Sequence, residues 1–418
     1  MARIAVVGGG ISGLACADIL SRTNEVMLFE AERRPGGHAR TLNVDRVGGQ
    51  MAVDTGFIVY NEVNYPLLTR LFAHLGVDTQ PSSMSFGVRY GQGELEFCAS
   101  SLGGLFAQKR NAASPRYWKM LADIMRFFAR APSVLQARSD PTLGAFLDDL
   151  RLGSWFRERF LLPMGAAIWS TPPDQMLHFP AKTFVRFFAN HGLLTVNGQH
   201  AWRTVRGGSE RYVERLAGRL GNRVKLGTPV ERIVKSSNGG HEVIMRSGDR
   251  YQADEVVFAC HADRSLSLLD EPSSEQRRVL GAFTFRDNEA VLHRDRTLMP
   301  QALGAWASWV YACGGSQGSQ QVSVTYWMNK LQGLPGEPLF VTLNPDRPIR
   351  DDCEVDRHVF RHPVFCRDAI AAQQNMGLIQ GRDGLWFCGA WQRHGFHEDG
   401  LWSSVRIADL KGVPVSWR

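Results

Sequence analysis

Three glycines near the start of the chain have the spacing of a phosphate-binding turn. Gly8, Gly10 and Gly13 form a GxGxxG pattern in "RIAVVGGGISGLACADIL", where a short apolar run meets a helical pattern. The first glycine permits a tight turn, the second lets the backbone approach a pyrophosphate, and the third lets the helix pack on the strand. Because the helix amino terminus then faces the anion, we expect a dinucleotide here, in contact also with Ile11 and Ser12.

An acidic residue stands where such a site needs one. The second apolar run, "EVMLFEA", ends at Glu30, about twenty residues after the first glycine. A carboxylate at this strand end can accept hydrogen bonds from ribose hydroxyls, and an acid there argues against a 2′-phosphate. We therefore expect Glu30 and the adjacent Ala31 to contact the cofactor.

A second glycine pair follows at once, in "ERRPGGHARTL". A dinucleotide dehydrogenase has no need of this pair, whereas FAD gives it a role. The backbone of Gly36 and Gly37 and the guanidinium of Arg40 could meet the flavin-side phosphate and ribityl chain, because arginine binds phosphate through two parallel hydrogen bonds. We include His38 and Ala39 in these contacts. The alternative is a basic surface loop with a turn.

A third segment is expected to touch the flavin itself. "VDTGFIVY" places polar and small residues at a strand-to-turn junction. We expect cofactor contacts from Asp54, Thr55, Gly56 and Phe57.

The stretch "FCGAWQRHGFHEDGLWSSVRIA", near the carboxyl terminus, concentrates glycine, histidine, acid and tryptophan. We interpret it as a last strand, a loop and a helix for which Asp399 is the N-cap. Gly389 would let the strand end pass close to the cofactor. The amides of Gly400, Leu401 and Trp402 would aim the positive end of the helix at the flavin, where it stabilises the charge of the reduced form.

These segments are far apart in the chain, so the cofactor domain must be discontinuous. Residues 223–260 alternate apolar and polar side chains around the turn signals "NGG" and "SGD", which predicts strands joined by hairpins. In this stretch we expect Val230 near the adenine and Ala259 near the cofactor. The remaining parts have helical patterns early and strand patterns later. We predict an FAD-binding domain from 1–60, 200–284 and 350–418, and a substrate-binding domain from 61–199 and 285–349.

The composition limits the class of protein. With 418 residues, 44% of them hydrophobic and 21% charged, the chain is expected to be globular with a sizeable core. The longest apolar run, "FLLPMGAAIW", is too short to span a membrane. The chain opens directly on a strand, which leaves no room for a signal peptide, so we expect a cytoplasmic protein. The net charge of +7 suits anionic partners, although we expect no nucleic acid.

No metal site is expected. The seven cysteines are irregularly spaced and include no CxxC pair, as scattered core thiols would be. His394 and His397 are three residues apart, unlike the i, i+4 ligands of a zinc-binding helix. We expect these two histidines to shape the loop beside the flavin.

One helical segment raises the question of membrane binding. In "RYWKMLADIMRFFAR" the side chains of Tyr117, Leu121, Ile124, Met125 and Phe128 fall on one face. Basic residues flank this stripe, so the helix could lie on an anionic membrane surface, with the protein peripheral at the inner face of the membrane. The alternative is a surface helix whose stripe joins the core. "SWFRERF" and "TFVRFFAN" show the same mixture of arginine and aromatic residues.

As a whole, the chain resembles the amine-oxidase and phytoene-desaturase superfamily of FAD-containing oxidoreductases. The resemblance is carried by "VVGGGISGL", "FEAERRPGGHART", "VDTGFIVYN", "VRGGSERYVERLAGRL", "ADEVVFACHADRSLSLL" and the closing stretch. It implies FAD as cofactor and an α/β fold, in which a Rossmann-like FAD-binding domain of the amine-oxidase (GR2) type carries an inserted α+β substrate domain.

The resemblance also bears on the candidate catalytic residues. Members that oxidise amines usually place a lysine on a substrate-domain strand facing the flavin, whereas the comparable segment here, "NEAVLHRDRTLMP", offers His293 and Arg294. A neutral imidazole at His293 could accept a proton; the alternative is a structural or exposed histidine. Tyr326 and Asn329 in "VTYWMNKLQG" would line an aromatic pocket wall, with plain core as the alternative.

A closer resemblance is to a bacterial flavoprotein branch that carries segments like "GGHART", "HRDRTLMP", "ASWVY", "VTYWMNKLQ" and "VTLNP". This branch is associated with cyclopropane-fatty-acyl synthase-like enzymes and includes a desaturase of furan fatty acid synthesis. It implies desaturation of a methyl-branched unsaturated fatty acyl chain of a phospholipid, with molecular oxygen as electron acceptor. Alternatives are amine or polyene oxidation, and a flavin-bearing scaffold that presents lipid to a methyltransferase. A homodimer stays open.

Overall fold

The structure is a computed structural model that describes residues 1–46, 49–169, 173–195, 200–313 and 322–418. In these ranges the strands are β1 (Arg3–Val7), β2 (Glu25–Phe29), β3 (Thr41–Arg46), β4 (Gly49–Asp54), β5 (Tyr60–Asn61), β6 (Thr79–Ser82), β7 (Phe86–Tyr90), β8 (Leu95–Cys98), β9 (Trp202–Val205), β10 (Val224–Lys225), β11 (Val230–Lys235), β12 (His241–Met245), β13 (Arg250–Ala253), β14 (Glu255–Phe258), β15 (Thr284–His293), β16 (Trp309–Cys313), β17 (Ser323–Trp327), β18 (Phe340–Leu343), β19 (Glu354–Val364) and β20 (Leu385–Phe387).

The α-helices in the same ranges are α1 (Ile11–Leu20), α2 (Pro66–Leu75), α3 (Leu102–Leu105), α4 (Pro115–Arg130), α5 (Leu143–Asp149), α6 (Ser154–Phe156), α7 (Leu162–Trp169), α8 (Pro173–Met176), α9 (Ala181–Asn190), α10 (Glu210–Leu220), α11 (Ala262–Leu268), α12 (Ser274–Leu280), α13 (Met328–Gln332), α14 (Arg367–Gln374) and α15 (His397–Leu410). A π-helical turn, Arg157–Leu161, joins α6 to α7.

A parallel sheet in the order β10-β2-β1-β14-β20 positions the glycine turn. Alternate residues of β1 point to opposite faces, so that Ile4 and Val6 pack against one cluster and Ala5 and Val7 against another. Both faces are covered by helices, with α1, α10 and α15 on one side and α11, α12 and α14 on the other. Burial on both faces explains why the strands read as uninterrupted apolar runs.

A larger mixed sheet, in the order β19-β15-β18-β17-β16-β7-β8, forms the second part of the molecule. Its edge strand β19 pairs antiparallel with β15 from Glu354 to Val364. The predicted boundary at residue 350 is therefore misplaced, because it assigns β19 to the cofactor domain. The pairing explains the difference, because the backbone hydrogen bonds of β19 go to the larger sheet.

A layer of helices from α3 to α9 packs on this sheet around an aromatic core. Tyr117, Ile124 and Phe127 of α4 are buried in it. The aromatic residues of "SWFRERF" and "TFVRFFAN" are also mostly core, with Phe156, Phe160, Phe184, Phe187 and Phe188 all buried. For these two segments the core alternative holds, and their apolar faces are not free to meet a membrane. In the described residues, no helix combines the length and the hydropathy needed to cross a bilayer.

Candidate active site

The glycine turn has the geometry of a phosphate cradle. Gly8 has a φ of +114°, and a Cβ there would lie 2.7 Å from the carbonyl oxygen of Ala259. A Cβ on Gly13 would lie 1.8 Å from the carbonyl oxygen of Gly8, so helix and strand approach as closely as the pattern requires. A Cβ on Gly10 would meet nothing within 4 Å. Open space at the amino end of α1 fits a pyrophosphate.

Glu30 closes the other side of the turn. Its Oε2 accepts a hydrogen bond of 2.5 Å from the backbone N–H of Gly9, and its Oε1 accepts one of 2.8 Å from Glu32. Burial raises the pKa of Glu30. Ala31 is exposed beside it. The backbone of Glu30 also holds Thr228, two residues before Val230, through the N–H of Thr228, so Val230 lies at the end of the turn where the adenosine is expected.

The second glycine pair touches the first glycine motif. The backbone N–H of Gly36 donates to the carbonyl of Gly9 at 2.7 Å, and a Cβ on Gly37 would lie 3.2 Å from the Cα of Gly10. Gly36 and Gly37 have φ values of +110° and +55°, which other residues rarely adopt. Both glycine motifs therefore border the same space, as a flavin-side pyrophosphate contact needs, and Ala39 is buried beneath them.

Arg40 has a protein partner. Its guanidinium makes two hydrogen bonds with the carboxylate of Asp356, at 2.7 and 3.1 Å, and one of 3.1 Å with Thr55 Oγ1. This pair ties the glycine loop to β19 of the larger sheet. Through Asp356 the Arg40 guanidinium holds the loop to the larger sheet, and its expected contact with the flavin-side phosphate stays a prediction.

His38 belongs to a histidine cluster that sequence reasoning did not anticipate. Its ring stacks on His362 at 5.3 Å and on Phe360 at 5.0 Å, and it meets His261 edge-on at 6.3 Å. Burial lowers the pKa of all three histidines, and their mutual repulsion adds to the shift of His38. They are neutral near pH 7, so this cluster packs the glycine loop against the larger sheet.

The buried carboxylate of Asp54 accepts hydrogen bonds from several segments of the chain at the junction of the domains. Its Oδ1 accepts hydrogen bonds from Thr41 Oγ1 at 2.6 Å and from both the backbone and the hydroxyl of Ser209 at 2.8 Å. Its Oδ2 accepts one of 2.9 Å from Gln332 of α13. Burial raises its pKa to about 6. These donors engage the carboxylate, so the side chain of Asp54 holds the segment from Asp54 to Phe57, and the flavin contact of this segment stays a prediction.

Gly56 packs tightly in that segment. A Cβ on Gly56 would lie 2.0 Å from the carbonyl oxygen of His38. The backbone N–H of Phe57 donates to the same carbonyl at 2.8 Å. These contacts hold the segment from Asp54 to Phe57 against the loop that contains Gly36 and Gly37.

The helix α15 begins earlier than the sequence indicated. It starts at His397, with Phe396 as the N-cap, so assigning Asp399 as N-cap is wrong. Asp399 occupies the third helical position and accepts a hydrogen bond of 3.0 Å from the N–H of Phe396. An acid at this position satisfies a helix-start donor just as the acid of a capping box does.

The shifted start changes the roles of the next residues. The N–H of Gly400 donates to the carbonyl of Phe396 inside the helix, and a Cβ on Gly400 would lie 2.8 Å from Ser12 Oγ and 3.0 Å from Ile11 Cγ2. Gly400 thus allows α15 to cross α1. Leu401 is buried, and the Trp402 ring lies under the guanidinium of Arg393 at 4.9 Å.

Gly389 passes close to a tryptophan at the end of β20. A Cβ on Gly389 would lie 2.2 Å from Trp391 Nε1, and its N–H donates to Ser403 Oγ of α15 at 2.8 Å. Both contacts are with the protein. Next to it, Ala259 donates its N–H to the carbonyl of Val7 and continues β14 beside the turn.

The amino end of α15 meets the segment that contains Phe57. The rings of Phe57 and His397 stack at 3.8 Å, and His397 Nε2 lies 3.0 Å from the hydroxyl of Tyr212. Burial lowers the pKa of His397 to about 3, so it is neutral at pH 7. His394, in the loop before the helix, also has a lowered pKa because of burial. In the described residues, no group of histidine, cysteine and acidic side chains could hold a metal ion.

The three candidate catalytic residues do not form one group. His293 is fully buried; its Nε2 lies 2.7 Å from Thr342 Oγ1 and its Nδ1 accepts from the N–H of Asp295 at 3.1 Å. Burial lowers its pKa to about 4. Asn329 donates to the carbonyls of Leu334 and Glu337, which fixes the loop after α13. Both side chains are engaged by the protein itself.

Of the three, Tyr326 is the one that borders residues 53–60, the segment "VDTGFIVY" expected to touch the flavin, which we call the flavin segment. It packs with Trp309 at 5.0 Å and 90°, and both rings contact a cluster that contains Ile58 and Val59, directly after Phe57. Burial raises the pKa of Tyr326 strongly, so its hydroxyl stays neutral. Trp309 Nε1 is buried without a hydrogen-bond partner. Alternation along β16 turns the Trp309 ring towards this cluster and the side chain of Val310 towards another one.

Comparison with known proteins identifies the family of this chain. A family model for flavin containing amine oxidoreductases matches residues 11–285. The Mycobacterium tuberculosis protein named as flavin-containing monoamine oxidase AofH is 29% identical over 253 residues, 56% of this chain and 52% of that protein. Hydroxyneurosporene desaturase of Cereibacter sphaeroides is 25% identical over 352 residues, 75% of this chain and 64% of that protein. This chain spans about half the length of the first relative.

A solved structure shares the fold. The CLA-producing fatty acid isomerase from P. acnes superposes with a TM-score of 0.67 at 12% identity, over 98% of each chain. At this identity the likeness shows the fold alone. The Rossmann-like α/β class, the superfamily resemblance and the FAD cofactor expected from the glycine motifs are confirmed by the family match and the shared fold. The chain belongs to the flavin-containing amine oxidoreductases, a family of FAD-dependent oxidoreductases.

Proposed function

We propose that this protein is an FAD-dependent desaturase of a methyl-branched unsaturated fatty acyl chain carried by a phospholipid. The observation that carries the proposal is the apolar cluster beside the flavin segment. Its buried hydrophobic side chains are Val44, Met51, Val53, Ile58, Val59, Ala290, Leu292, Met328, Leu331, Leu339, Val341 and Phe360. Partly buried Trp202, Trp309 and Tyr326 border it. Such a surface suits an uncharged chain.

The strands behind this cluster carry no lysine. β15, β16, β17 and β18 read "TFRDNEAVLH", "WVYAC", "SVTYW" and "FVTL". The acids of β15 do not belong to the cluster: Asp287 is exposed and ion-paired with Arg361, and Glu289 is ion-paired with Arg357. The buried carboxylate of Asp54, next to Val53 of the cluster, accepts hydrogen bonds from Thr41, Ser209 and Gln332. The acids near the cluster are thus engaged by the protein, which supports an acyl substrate over an ammonium.

Two comparisons support the same direction. One relative is named for the desaturation of hydroxyneurosporene, and one fold neighbour for the isomerisation of a fatty acid. Desaturation beside an existing double bond removes a hydride and a proton from two allylic carbons and yields a conjugated diene. Bound FAD supplies the hydride acceptor, and molecular oxygen is the proposed final oxidant.

The chain's own residues would bind and orient the substrate. The partly buried side chains at the edge of the apolar cluster would line the acyl chain and exclude water, and the Trp309 and Tyr326 rings among them would fix its position. The amino end of α15 lies beside Phe57, and its positive dipole end favours negative charge there. His293 is not assigned the proton, because both of its ring nitrogens are engaged and it is fully buried.

Amine oxidation is the second candidate, and one observation favours it. The perpendicular rings of Trp309 and Tyr326 could present their faces to an ammonium group. A relative is also named as a monoamine oxidase.

Anaerobic reduction of the purified holoenzyme distinguishes these candidates. The probes are a phospholipid with a methyl-branched unsaturated chain, the same lipid with a saturated chain, a carotene and a set of primary amines, each dispersed in detergent. We expect the unsaturated lipid alone to bleach the oxidised flavin and to gain a conjugated diene. Bleaching by an amine would support the second candidate. Lipid binding without bleaching by any probe would instead indicate a flavin-bearing lipid scaffold and overturn the proposal.

A further inference from the structure

We propose that one face of the helical layer docks on the surface of an anionic lipid bilayer. This docking face consists of Leu102, Phe106, Trp118, Leu121, Met125, Phe128 and Leu303. It deepens the proposed function, on which its purpose rests, since a phospholipid substrate must be reached at a bilayer. The docking itself can be measured without turnover.

The helix α4 has more apolar surface than the core covers. Tyr117, Met120, Ile124 and Phe127 point inward and are buried. Trp118, Leu121, Met125 and Phe128 follow each other at steps of three or four residues and therefore form a second stripe. Trp118 and Met125 are 52% and 55% exposed, and Leu121 and Phe128 are half-buried at the edge of the core. The apolar side chains of α4 therefore form two neighbouring faces, and the core covers only one of them.

Two neighbouring turns extend the stripe. Leu102 of α3 is 77% exposed and Leu303 is 76% exposed. Their turns touch, because a Cβ on Gly304 would lie 3.5 Å from the carbonyl oxygen of Gly103. Phe106 follows Leu102 by one helical turn and lies 5.4 Å from the Trp118 ring. The exposed apolar side chains are therefore connected, whereas scattered single ones would need no explanation.

The charge around the docking face selects the partner. Between residues 101 and 130 the chain carries six basic side chains and a single acid. That acid, Asp123, is buried and paired with Arg126, while Lys109, Arg116, Lys119 and Arg130 are exposed. By the helical period, Arg116, Lys119, Arg126 and Arg130 fall on the remaining, polar side of α4. An amphipathic helix with tryptophan in its apolar stripe and with lysine and arginine on its polar side is the pattern of segments that lie in a membrane interface.

The tryptophan is held in place. Trp118 Nε1 donates to the carbonyl of Ala112 at 2.9 Å, so its half-exposed ring has a fixed direction. On its inner side the same helical layer reaches the cofactor region, because Phe187 of α9 stacks on Phe396 at 5.2 Å, directly before α15. Docking through this layer would therefore bring the bilayer to the part of the molecule that contacts the active site.

Co-sedimentation of the holoenzyme with vesicles tests the proposal. We expect binding to vesicles of phosphatidylglycerol and phosphatidylcholine at low salt, weak binding to phosphatidylcholine alone, and release as salt rises. Met125→Ser with Leu303→Ser should weaken the partition at least about tenfold. The matched control is Val63→Ser with Val359→Ser, two exposed valines outside the docking face, and it should bind as the wild type does.

A charge pair of variants refines the test. Arg116→Glu with Lys119→Glu should reduce binding to the anionic vesicles, whereas Lys235→Glu, on β11, should not. Equal binding of the wild type to neutral and anionic vesicles, or unchanged binding of the Met125/Leu303 variant, would overturn the proposal. A wild-type dimer, seen by sedimentation velocity, that becomes a monomer in the Met125/Leu303 variant would also overturn the proposal. The docking face would then bind a second copy of the chain.

The two proposals fail separately. Against lipid dispersed in detergent, the Met125/Leu303 variant should bleach its flavin as the wild type does. If no lipid reduces the wild-type flavin, the proposed function fails, while the vesicle partition still decides the docking.

Discussion

Replacing Gly10 by alanine separates the cofactor role of the glycine turn from its structural role. Gly10 has φ −73° and ψ −177°, a conformation open to any residue, and an added Cβ would meet nothing within 4 Å. The variant gains about 0.4–1 kcal/mol from a less flexible unfolded chain. It loses a similar amount because alanine is a poorer N-cap than glycine. We therefore expect the stability of the FAD-free protein to change by less than about 1 kcal/mol.

FAD binding should respond differently. The methyl group would occupy the space in which the pyrophosphate approaches the amino end of α1, and would displace it from backbone donors. A hydrogen bond to a charged group contributes about 1.5–3 kcal/mol. The loss of one such bond should weaken FAD binding by at least about tenfold, because about 1.4 kcal/mol corresponds to a factor of ten.

The assay compares thermal unfolding of deflavinated protein with titration of FAD by flavin fluorescence. Gly218→Ala is the matched control, since it also adds a Cβ in open space but lies on α10; it should leave FAD binding unchanged. Gly13→Ala should lower both the thermal stability and the FAD affinity, because its Cβ would lie 1.8 Å from the carbonyl oxygen of Gly8. Unchanged FAD affinity in Gly10→Ala would refute the placement of the pyrophosphate at this turn.

Three further outcomes are expected. Glu398 accepts hydrogen bonds from the first N–H groups of α2 at 2.9 and 3.0 Å, so Glu398→Ala should lower the free energy of unfolding by about 1–3 kcal/mol, measured by urea denaturation near the ordinary glutamate pKa of 4.5; a neutral result would show that water replaces the carboxyl group. Burial raises the pKa of Glu398 from 4.5 to about 7. The folded state therefore holds the Glu398 proton more tightly than the unfolded state does. The stability gained from this protonation is full below pH 4.5 and is lost as the pH rises to 7. Relative to Glu398→Gln, the wild type should lose roughly 3 kcal/mol across that interval, and parallel pH profiles would contradict the shift. Arg89→Met should cost about 3 kcal/mol, because it leaves the carboxylate of buried Asp346 without the guanidinium that binds it at 2.9 Å; the same denaturation assay checks it, and a loss below about 1 kcal/mol would mean that Arg347 compensates.

The glycine motifs were predictable because their requirements are local. A tight turn, a positive φ and a close helix–strand approach each restrict one position to glycine, and Gly8, Gly13, Gly36 and Gly37 show these restrictions in the structure. The parallel strands were predictable for a similar reason, since burial on both faces requires apolar runs.

The start of α15 was less predictable, because two acids compete for the helix start. Asp399 has the intrinsic preference of an N-cap, yet it accepts a hydrogen bond from Phe396 at the third position instead. The acid-rich first turn, with Glu398 and Asp399, was the available signal for an earlier start. Glu398 itself caps a helix about 330 residues earlier in the chain, and no local pattern specifies such a partner.

The amphipathic period of α4 identified an apolar arc but not which half of it is covered. The core takes the half with Tyr117 and Ile124 and leaves Trp118 and Met125 exposed. Similarly, His293 has a suitable side chain for proton transfer, but both of its ring nitrogens are engaged in the interior by Thr342 and Asp295. Sequence by itself determined the cofactor class and the fold class, because these depend on the backbone freedom and polarity of single positions. Tertiary structure alone decided which polar side chains stay free for chemistry, because Arg40, Asp54 and Asn329 find their partners only when distant segments pack together.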